Sequence, residues 1–193
     1  NTLSIIKPTI ELLKIEGGSE KAVKHYKAIE QATLHAENIV KQLLMFSRKT
    51  QPSKESINLN ELITTNQGML DKVINSKIKL TLNLEADNIC IKADSTQIKQ
   101  AIFNLAINAR DAMKDIEKPH LTIKTKSILL NSEATKKGLK KGQYIVVEVT
   151  DNGVGINNDI KETIFDPFFT TKPRGEGTGL GLSVIKGIVT AHN

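Results

Sequence analysis

The sequence is poor in cysteine and in aromatic residues, with one cysteine, no tryptophan and 4% aromatic residues in total. A single cysteine excludes an intramolecular disulfide, and the apolar neighbours of Cys90 predict a buried, inert thiol in a reducing compartment. Few aromatic rings leave little material for a base-stacking surface, which argues against nucleic acid as a partner. No apolar run approaches the roughly 20 residues of a membrane span, and no signal-peptide pattern is present. We therefore expect no direct membrane contact by this chain.

The positive charge is spread along the chain rather than concentrated. The 193 residues carry a net charge of +6 at pH 7, with 39% hydrophobic and 25% charged residues. This is the composition of an ordinary soluble globular protein. Because the lysines are scattered, with only short pairs such as Lys136-Lys137, a solvated surface is favoured over an anionic partner. The length suits one large domain or two small ones.

Residues 1–50 show the periodicity of two helices. Apolar residues recur at helical spacing from Leu3 to Leu13, and Gly17-Gly18 ends that helix just before Ser19, a suitable N-cap. The second helix repeats its apolar residues every seven positions along a wide stripe. Such a stripe requires more partners than one neighbouring helix, which favours dimerisation. We predict an antiparallel helical hairpin that forms half of a dimeric four-helix bundle.

The pattern changes after residue 50. Gln51-Pro52-Ser53-Lys54 is a linker signal, so we assign residues 51–58 to a linker and residues 59–193 to a second domain. This domain is α+β, with helices on one face of a mixed, mainly antiparallel sheet. Its predicted elements are a helix over Leu59–Ile74, strands over Lys77–Leu84 and Ile89–Ile91, a helix from an Asp94 cap to about Lys114, a long hairpin of Leu121–Leu129 with Tyr144–Val149, a short helix over Ile160–Ile164, and a final helix over Leu180–Ala191.

A polar line runs along the helix that follows Asp94. Gln100, Asn104, Asn108 and Asp111 are spaced four, four and three residues apart, beside an apolar stripe on the same helix. Asparagine is a mediocre helix former, so two asparagines one turn apart on this helix indicate a functional role. Their side-chain oxygens are hard neutral ligands suited to Mg²⁺ already bound to nucleotide phosphates. The alternative interpretation is that the two asparagines are exposed to solvent and bind no ligand.

Two glycine-containing stretches follow. Asp151-Asn152-Gly153-Val154-Gly155 comes directly after a predicted strand, where a carboxylate can accept the exocyclic amine of adenine and the glycines let backbone approach its ring. Taken alone, such a stretch is more often a simple turn. Residues 175–182 lack the Gly-Lys-Ser/Thr ending of a P-loop, but they lead into a helix whose first N–H groups can bind phosphate oxygens. Lys172 and Arg174 add positive charge there.

In this order and spacing, Asn104–Ala109, Asp151–Gly155, Phe165–Lys172 and Gly175–Leu182 resemble the ATP-binding domain of the sensor histidine kinases. These kinases belong to a superfamily with the Hsp90, MutL and gyrase B ATPases. The resemblance covers nearly the whole chain and implies a Bergerat-type α/β sandwich that binds ATP and Mg²⁺. It implies that Asn108, supported by Asn104, holds the metal, and that both asparagines and Lys172 are catalytic. The ATP-binding residues that it implies are Asn108, Asp111, Asp151 (on adenine), Gly153, Gly155, Ile156, Phe165, Thr170, Thr171, Lys172, Arg174, Gly175, Gly177, Thr178, Gly179, Leu180, Gly181 and Leu182.

Residues 1–50 resemble the family's dimerisation and phosphotransfer hairpin, which implies a homodimer through this segment. Asn1 fits immediately downstream of the family's acceptor histidine, so we expect the acceptor to precede residue 1. Neither His25 nor His35 is followed by a carboxylate that could orient its ring for attack on phosphate. The family normally continues with two more strands beyond the last helix, so we expect residues 59–193 to lack the closing strands of the sheet.

The function that the resemblance implies is an ATP-dependent protein-histidine kinase core of a two-component signalling system. Phosphoryl would pass from ATP to a histidine of the hairpin and then to an aspartate of a response-regulator receiver domain. The location implied is cytoplasmic, whether or not the full-length protein is anchored in a membrane. One alternative is a non-catalytic dimeric nucleotide-binding scaffold that regulates a receiver domain. Another is a gyrase- or Hsp90-like ATPase, which the hairpin at residues 1–50 disfavours.

Overall fold

The computed structural model describes residues 53–85, 90–130, 140–173 and 177–192, together with isolated helical positions between residues 10 and 36. The chain divides into two compact units, Asn1–Thr50 and Gln51–Asn193. In the first unit Ile10 and Thr33 are buried, and the Thr33 hydroxyl donates to the Ile29 carbonyl at 2.8 Å. The turn and the pairing of the two expected helices lie outside the described residues, so the hairpin and its dimer stay predictions.

The second unit contains five strands and four α-helices among its described residues. In chain order they are β1 (Glu55–Asn58), α1 (Leu59–Thr65), α2 (Gln67–Ile74), β2 (Lys79–Leu84), β3 (Cys90–Ala93), α3 (Ser95–Ala112), β4 (His120–Leu130), β5 (Gly142–Asp151) and α4 (Gly181–His192). None of the described helices is both long and apolar enough to cross a membrane.

The main sheet is mixed, as predicted, with the strand order β2-β4-β5. β2 and β4 are parallel, with Leu82 opposite Ile123, while β4 and β5 form an antiparallel hairpin with Ile123 opposite Val149. Leu121 and Ile123 are fully buried on the face that the helices cover. The α+β class and the mixed sheet are therefore confirmed.

The structure corrects the sequence prediction in the segment that was assigned to a linker. Residues 55–58 form β1, which pairs antiparallel with β3 in a separate two-stranded sheet, so part of the expected linker is a strand. Ile57 lies opposite Ile91 and is buried, but its neighbours are polar. One buried residue in a four-residue strand gives no period-2 pattern, and this is why the sequence did not reveal it.

Two further corrections concern local structure. The helix predicted over Leu59–Ile74 is two helices, because the Asn66 backbone N–H caps α1 and its side-chain amide donates to the Leu62 carbonyl at 2.7 Å. The helix predicted over Ile160–Ile164 is instead a single 3₁₀ turn, Asn158–Ile160, followed by turns.

The expected burial of the single thiol is also wrong. Cys90 is exposed, because in β3 the side chains of Ile91 and Ala93 alternate inward while those of Cys90 and Lys92 point out. An apolar neighbourhood in the sequence therefore did not place this residue in the core.

The core lies between the sheet and the helices α1, α2 and α3. Ten buried residues form it: Leu59, Ile63, Leu70, Ile74, Ile102, Ala106, Ala109, Met113, Leu121 and Ile123. One polar contact joins the sheet to α1, since the fully buried Thr125 hydroxyl of β4 donates to the side-chain oxygen of the half-buried Asn60 at 2.7 Å. A second cluster packs α4 against α3 through Ala101, Val184, Ile185 and Ile188. The two clusters hold α3 on two sides. The side of α3 that carries Asn104 and Asn108, called here its asparagine flank, lies next to α4.

Hydrogen bonds fix both ends of the α3–α4 pair. Asp94 caps α3 as predicted, accepting the N–H groups of Thr96 and Gln97 at 2.9 and 3.1 Å. The backbone N–H of Asp94 donates to His192 Nε2 at 3.0 Å, which leaves Nδ1 as the ring donor to the Ile188 carbonyl at 2.7 Å. His192 therefore connects the end of α4 to the start of α3.

Candidate functional site

The asparagine flank of α3 faces the beginning of α4. A Cβ added to Gly181, the first residue of α4, would lie 3.7 Å from Asn108 Nδ2 and 3.9 Å from Asn108 Oδ1. One turn earlier on α3, Asn104 Nδ2 is buried and has no hydrogen-bond partner among the described residues. The structure thus brings the asparagine line and the second glycine stretch together, although they are about seventy residues apart in the sequence.

A glycine loop, residues 151–156, packs against the other end of α3. A Cβ on Gly153 would lie 2.6 Å from the Ala112 carbonyl oxygen, a distance that real Cβ atoms essentially never show, so only glycine fits. The next residue, Val154, donates its N–H to the same carbonyl at 3.1 Å. The loop is therefore held against the C-terminal turn of α3 by backbone contacts.

The two polar side chains at the start of the glycine loop have different surroundings. The exposed Asp151 accepts the Gly153 N–H through Oδ1 at 2.9 Å, which orients its carboxylate. The Asn152 amide donates to the Lys118 carbonyl and accepts the His120 N–H, both at 2.9 Å. Asn152 therefore fixes the loop to the start of β4, a role that the sequence analysis missed.

The lid segment, residues 165–173, contacts the second glycine stretch backbone to backbone. Phe168 has φ 68° and Gly179 has φ 66°, so both lie in the left-handed region. A Cβ on Gly179 would lie 2.3 Å from the Phe168 carbonyl carbon. Nearby, a Cβ on Gly177 would lie 2.6 Å from the Thr170 hydroxyl oxygen, which itself accepts the Lys172 N–H at 3.1 Å. The backbone contact requires glycine at position 179, whereas a Cβ at position 177 would meet only side-chain atoms of Thr170 and Lys172 and would displace them.

A charged network joins the lid segment to α3. Lys172 Nζ donates to Asp111 Oδ2 at 2.5 Å, and Arg110 donates through Nε and Nη2 to Asp111 Oδ1 at 2.9 and 2.8 Å. Arg110 Nη1 also donates to the Val73 carbonyl at the end of α2, at 3.0 Å. The Asp111 side chain is 15% exposed. Burial acts to raise the pKa of Asp111, but the hydrogen bonds and charges of Lys172 and Arg110 outweigh it, so this pKa lies below its ordinary value.

A cavity of about 1490 Å³ opens on the other side of Asp111, between the ends of α2 and α3 and residues 171–173. Asn104, Asn108, Asp151 and Gly153 do not line it, so it is adjacent to the cluster of asparagines and glycines rather than the same space. Its charged lining residues are Lys72, Lys77, Arg110, Lys114 and Lys172 with Asp71, Asp111 and Glu117.

The remaining site predictions fall in four groups. Ile156 and Phe165 are exposed, and a Cβ on Gly155 (φ 75°) would meet no described atom within 4 Å. Leu180 is buried and Leu182 packs in the α3–α4 cluster, while the Thr178 hydroxyl accepts the Leu180 N–H at 3.3 Å. Arg174 and Gly175 lie outside the described residues. Thr171 lines the cavity described above.

The chain belongs to the family of histidine kinase-, DNA gyrase B- and HSP90-like ATPases, whose model matches residues 93–193. This range runs from the last residue of β3 through α3, the glycine loop, the lid segment and α4. The family prediction made from the sequence is therefore confirmed.

Curated relatives of the chain are sensor histidine kinases. It is 37% identical to sensor kinase CckA of Brucella abortus (strain 2308) over 189 residues, covering 96% of this chain and 20% of the relative. It is 32% identical to sporulation kinase A of Bacillus subtilis (strain 168) over 197 residues, covering 100% of this chain and 29% of the relative. The chain thus spans less than a third of the length of either relative.

Solved histidine kinases have the same fold. Histidine kinase ThkA in complex with the response regulator protein TrrA is 26% identical with a TM-score of 0.65, and the match covers 100% of this chain and 51% of that one. Full-length ShkA in complex with AMPPNP has a TM-score of 0.73 at 18% identity, over 98% of this chain and 38% of that one. At that identity the likeness to ShkA concerns the fold.

Proposed function

We propose that residues 59–193 bind ATP with Mg²⁺ between the asparagine flank of α3, the glycine loop and the second glycine stretch, and that they donate the γ-phosphoryl group to a protein histidine. The observation that carries the proposal is that Gly181, at the N-terminus of α4, lies directly beside the Asn108 side chain of α3. Membership of an ATPase family and relatives named sensor kinases support the choice of reaction.

The side chains on α3 suit a metal–phosphate group. Asn104 Nδ2 is buried without a partner among the described residues, and an unsatisfied donor costs about 1–3 kcal/mol. A phosphate oxygen, or a water bound to the metal, would satisfy it. The side-chain oxygen of Asn108 is a hard neutral ligand of the kind that Mg²⁺ takes alongside phosphates. When bound, Mg²⁺ would neutralise charge on the phosphate oxygens.

The second glycine stretch supplies backbone donors. α4 is a 12-residue helix, so its first N–H groups carry the partial positive charge of a helix N-terminus. Glycine at positions 179 and 181 leaves that end without a side chain that would block a phosphate. The proposed phosphate site is therefore formed by Asn104 and Asn108 on one side and the N-terminus of α4 on the other.

The glycine loop is the proposed adenine contact. Asp151 is held by the Gly153 N–H through Oδ1, and its Oδ2 takes no hydrogen bond from a described residue. A carboxylate oxygen is the acceptor that the exocyclic amine of adenine requires. The close packing of Gly153 on Ala112 fixes the position of this carboxylate relative to α3.

The proposed reaction is transfer of the γ-phosphoryl group to a histidine of the dimerisation hairpin in the full-length protein. An imidazole nitrogen supplies the electron pair of the new P–N bond, the bond between the γ-phosphorus and the bridging oxygen breaks, and ADP leaves with the electron pair of that broken bond. The ring proton passes to a base. We propose that the phosphoryl group then moves to an aspartate of a receiver domain, in a homodimer formed through residues 1–50. The named complex of ThkA with a response regulator supports this step.

The substitution Asn108→Ala tests the site. Losing the amide oxygen should weaken binding of ATP–Mg²⁺ at least about tenfold, because a charge-assisted contact is typically worth more than 1.4 kcal/mol. Titration calorimetry measures this directly. Asn83→Ala is the matched control, since Asn83 is exposed on β2 away from α3, and it should leave the affinity unchanged. Unchanged affinity in Asn108→Ala would exclude the assignment.

Incubating the full-length protein with γ-labelled ATP separates the kinase from the alternatives. Acid-labile labelled protein is the expected result, because a P–N bond is acid-labile. ATP binding without label would instead indicate the nucleotide-binding scaffold. ATP hydrolysis without label would indicate a gyrase- or Hsp90-like ATPase.

A further inference from the structure

The lid segment is attached to α3 through a side chain expected to bind phosphate. Lys172 Nζ is 2.5 Å from Asp111 Oδ2, so its charge is already taken up by a carboxylate of the domain. This ion pair is more than a surface contact, because both side chains are partly buried, at 31% and 15% exposed. A lysine in this position cannot also neutralise a nucleotide phosphate.

Asp111 is held from the other side by Arg110. The guanidinium group donates two hydrogen bonds to Asp111 Oδ1 and a third to the Val73 carbonyl at the end of α2. The Asp111 carboxylate is therefore paired with Arg110 through Oδ1 and with Lys172 of the lid segment through Oδ2. If Lys172 leaves, Asp111 remains paired with Arg110, which avoids the cost of an uncompensated buried charge.

The surroundings of Lys172 leave room for it to move. Thr171, Lys172 and Pro173 line the cavity of about 1490 Å³ rather than the packed core. The lid segment can therefore shift at these residues without creating a void among buried side chains. Two close contacts lie within the second glycine stretch: Gly179 meets the Phe168 backbone, and Gly177 lies beside the Thr170 hydroxyl and the aliphatic part of Lys172. Neither contact involves the Lys172 ammonium.

We propose that Asp111, oriented by Arg110, is a latch that holds Lys172 and the lid segment on α3 until a nucleotide phosphate replaces the carboxylate as the partner of Lys172. Arg110 and Asp111 act as positioning residues in this exchange. The exchange substitutes one anion for another, so the charge on Lys172 stays neutralised throughout. This inference rests on the proposed function, because it takes the exchanging anion to be a phosphate of ATP.

Hydrogen exchange of the nucleotide-free protein tests the latch without any nucleotide. Asp111→Asn and Lys172→Gln should each speed amide exchange in residues 165–173 at least about threefold, and the double variant should equal either single one. Lys172→Arg keeps the charge and should retain slow exchange. Lys161→Gln is the matched control, because Lys161 is an exposed lysine in the neighbouring turn. If Asp111→Asn does not fold, Lys172→Gln and Lys172→Arg still decide the question.

Calorimetry with ATP and with adenosine tests the exchange. Asp111→Asn releases Lys172, so the ratio of ATP affinity to adenosine affinity should rise about threefold or more, whereas Lys172→Gln should lower it. A contact of Asp111 with ribose would change both affinities equally and leave the ratio unaltered. Arg110→Gln should instead slow lid exchange and lower the affinity ratio, because Asp111 would be left as an uncompensated buried charge when Lys172 leaves.

The outcomes separate the two proposals. If amide exchange in residues 165–173 is the same in wild type, Asp111→Asn and Lys172→Gln, the latch is overturned. ATP binding by the same proteins would still support the proposed function. Wild-type protein that does not bind ATP overturns the proposed function and the phosphate exchange together. Faster lid exchange with an unaltered affinity ratio shows that Asp111 only packs the segment, and this also overturns the proposal.

Discussion

Gly179 and Phe168 are backbone neighbours with left-handed φ angles, and a Cβ on Gly179 would overlap the Phe168 carbonyl group at 2.3 to 2.5 Å. The lid segment and the second glycine stretch therefore meet without a side chain between them. This contact sets how closely the lid segment can approach the start of α4.

Gly179→Ala should both destabilise the domain and weaken ATP binding. The left-handed backbone costs an alanine about 1–2 kcal/mol, and the overlap with Phe168 adds to that cost. We expect a loss of more than about 1 kcal/mol in the free energy of unfolding, measured by urea denaturation, and a lower ATP affinity by calorimetry.

Gly187→Ala is the matched control for that substitution. Gly187 is an exposed position inside α4, and a Cβ there would meet no described atom within 4 Å. Alanine should stabilise the helix by about 0.5–1 kcal/mol and leave ATP affinity unchanged. Equal effects of the two substitutions would contradict a specific glycine requirement at position 179.

The ion pairs of Asp111 should contribute stability that depends on pH. The pKa of Asp111 in the folded protein lies below its ordinary value of 3.8, so the unfolded chain takes up a proton first as the pH falls. The contribution is fully present above that ordinary value and is lost as the pH falls through the folded pKa. Urea denaturation from about pH 6 to about pH 3 should therefore show the difference between wild type and Asp111→Asn shrinking only at the acid end. A difference that grows on acidification would contradict the ion pairing.

His192→Ala should lower stability without altering nucleotide affinity. The substitution leaves the partly buried Asp94 N–H without its acceptor, at a cost of about 1–3 kcal/mol. Because His192 lies at the far end of α4 from Gly181, the proposed phosphate site should stay intact. Thr190→Ala, an exposed hydroxyl that bonds only within α4, should change the unfolding free energy by less than about 0.5 kcal/mol. ATP affinity that falls in parallel with stability would show that the two ends of α4 are coupled.

Sequence periodicity predicted the elements that have strong local signals. Asp94 as a cap, the long apolar stripe of α3 and the alternating hairpin of β4 and β5 each follow from residues close together in the chain. The break at Asn66 was missed because a side chain that bonds its own helix looks like any other polar residue in a helical pattern. β1 was missed because it pairs with β3, a strand that is distant from it in the sequence.

The candidate site was predicted in part. The motifs placed Asn108 and Gly181 in one site, and the structure brings them together. Arg110 carried no signal, since its role depends on the Val73 carbonyl of another helix. The contact of Gly153 with Ala112 could not be predicted either, because it depends on how the loop packs against α3 in the folded domain.

The parallel pairing of β2 with β4 has a consequence for the order in which the domain assembles. β4 and β5 are consecutive and pair as a hairpin, a local contact that forms in microseconds. β2 reaches β4 only across the connection that contains β3 and α3, so the entropy of closing that long loop must be overcome first. The asparagines lie inside this loop, on α3. Their site is therefore expected to form late in folding, together with the docking of β2, and a refolding chain should acquire its hairpin before it acquires the ability to hold a nucleotide.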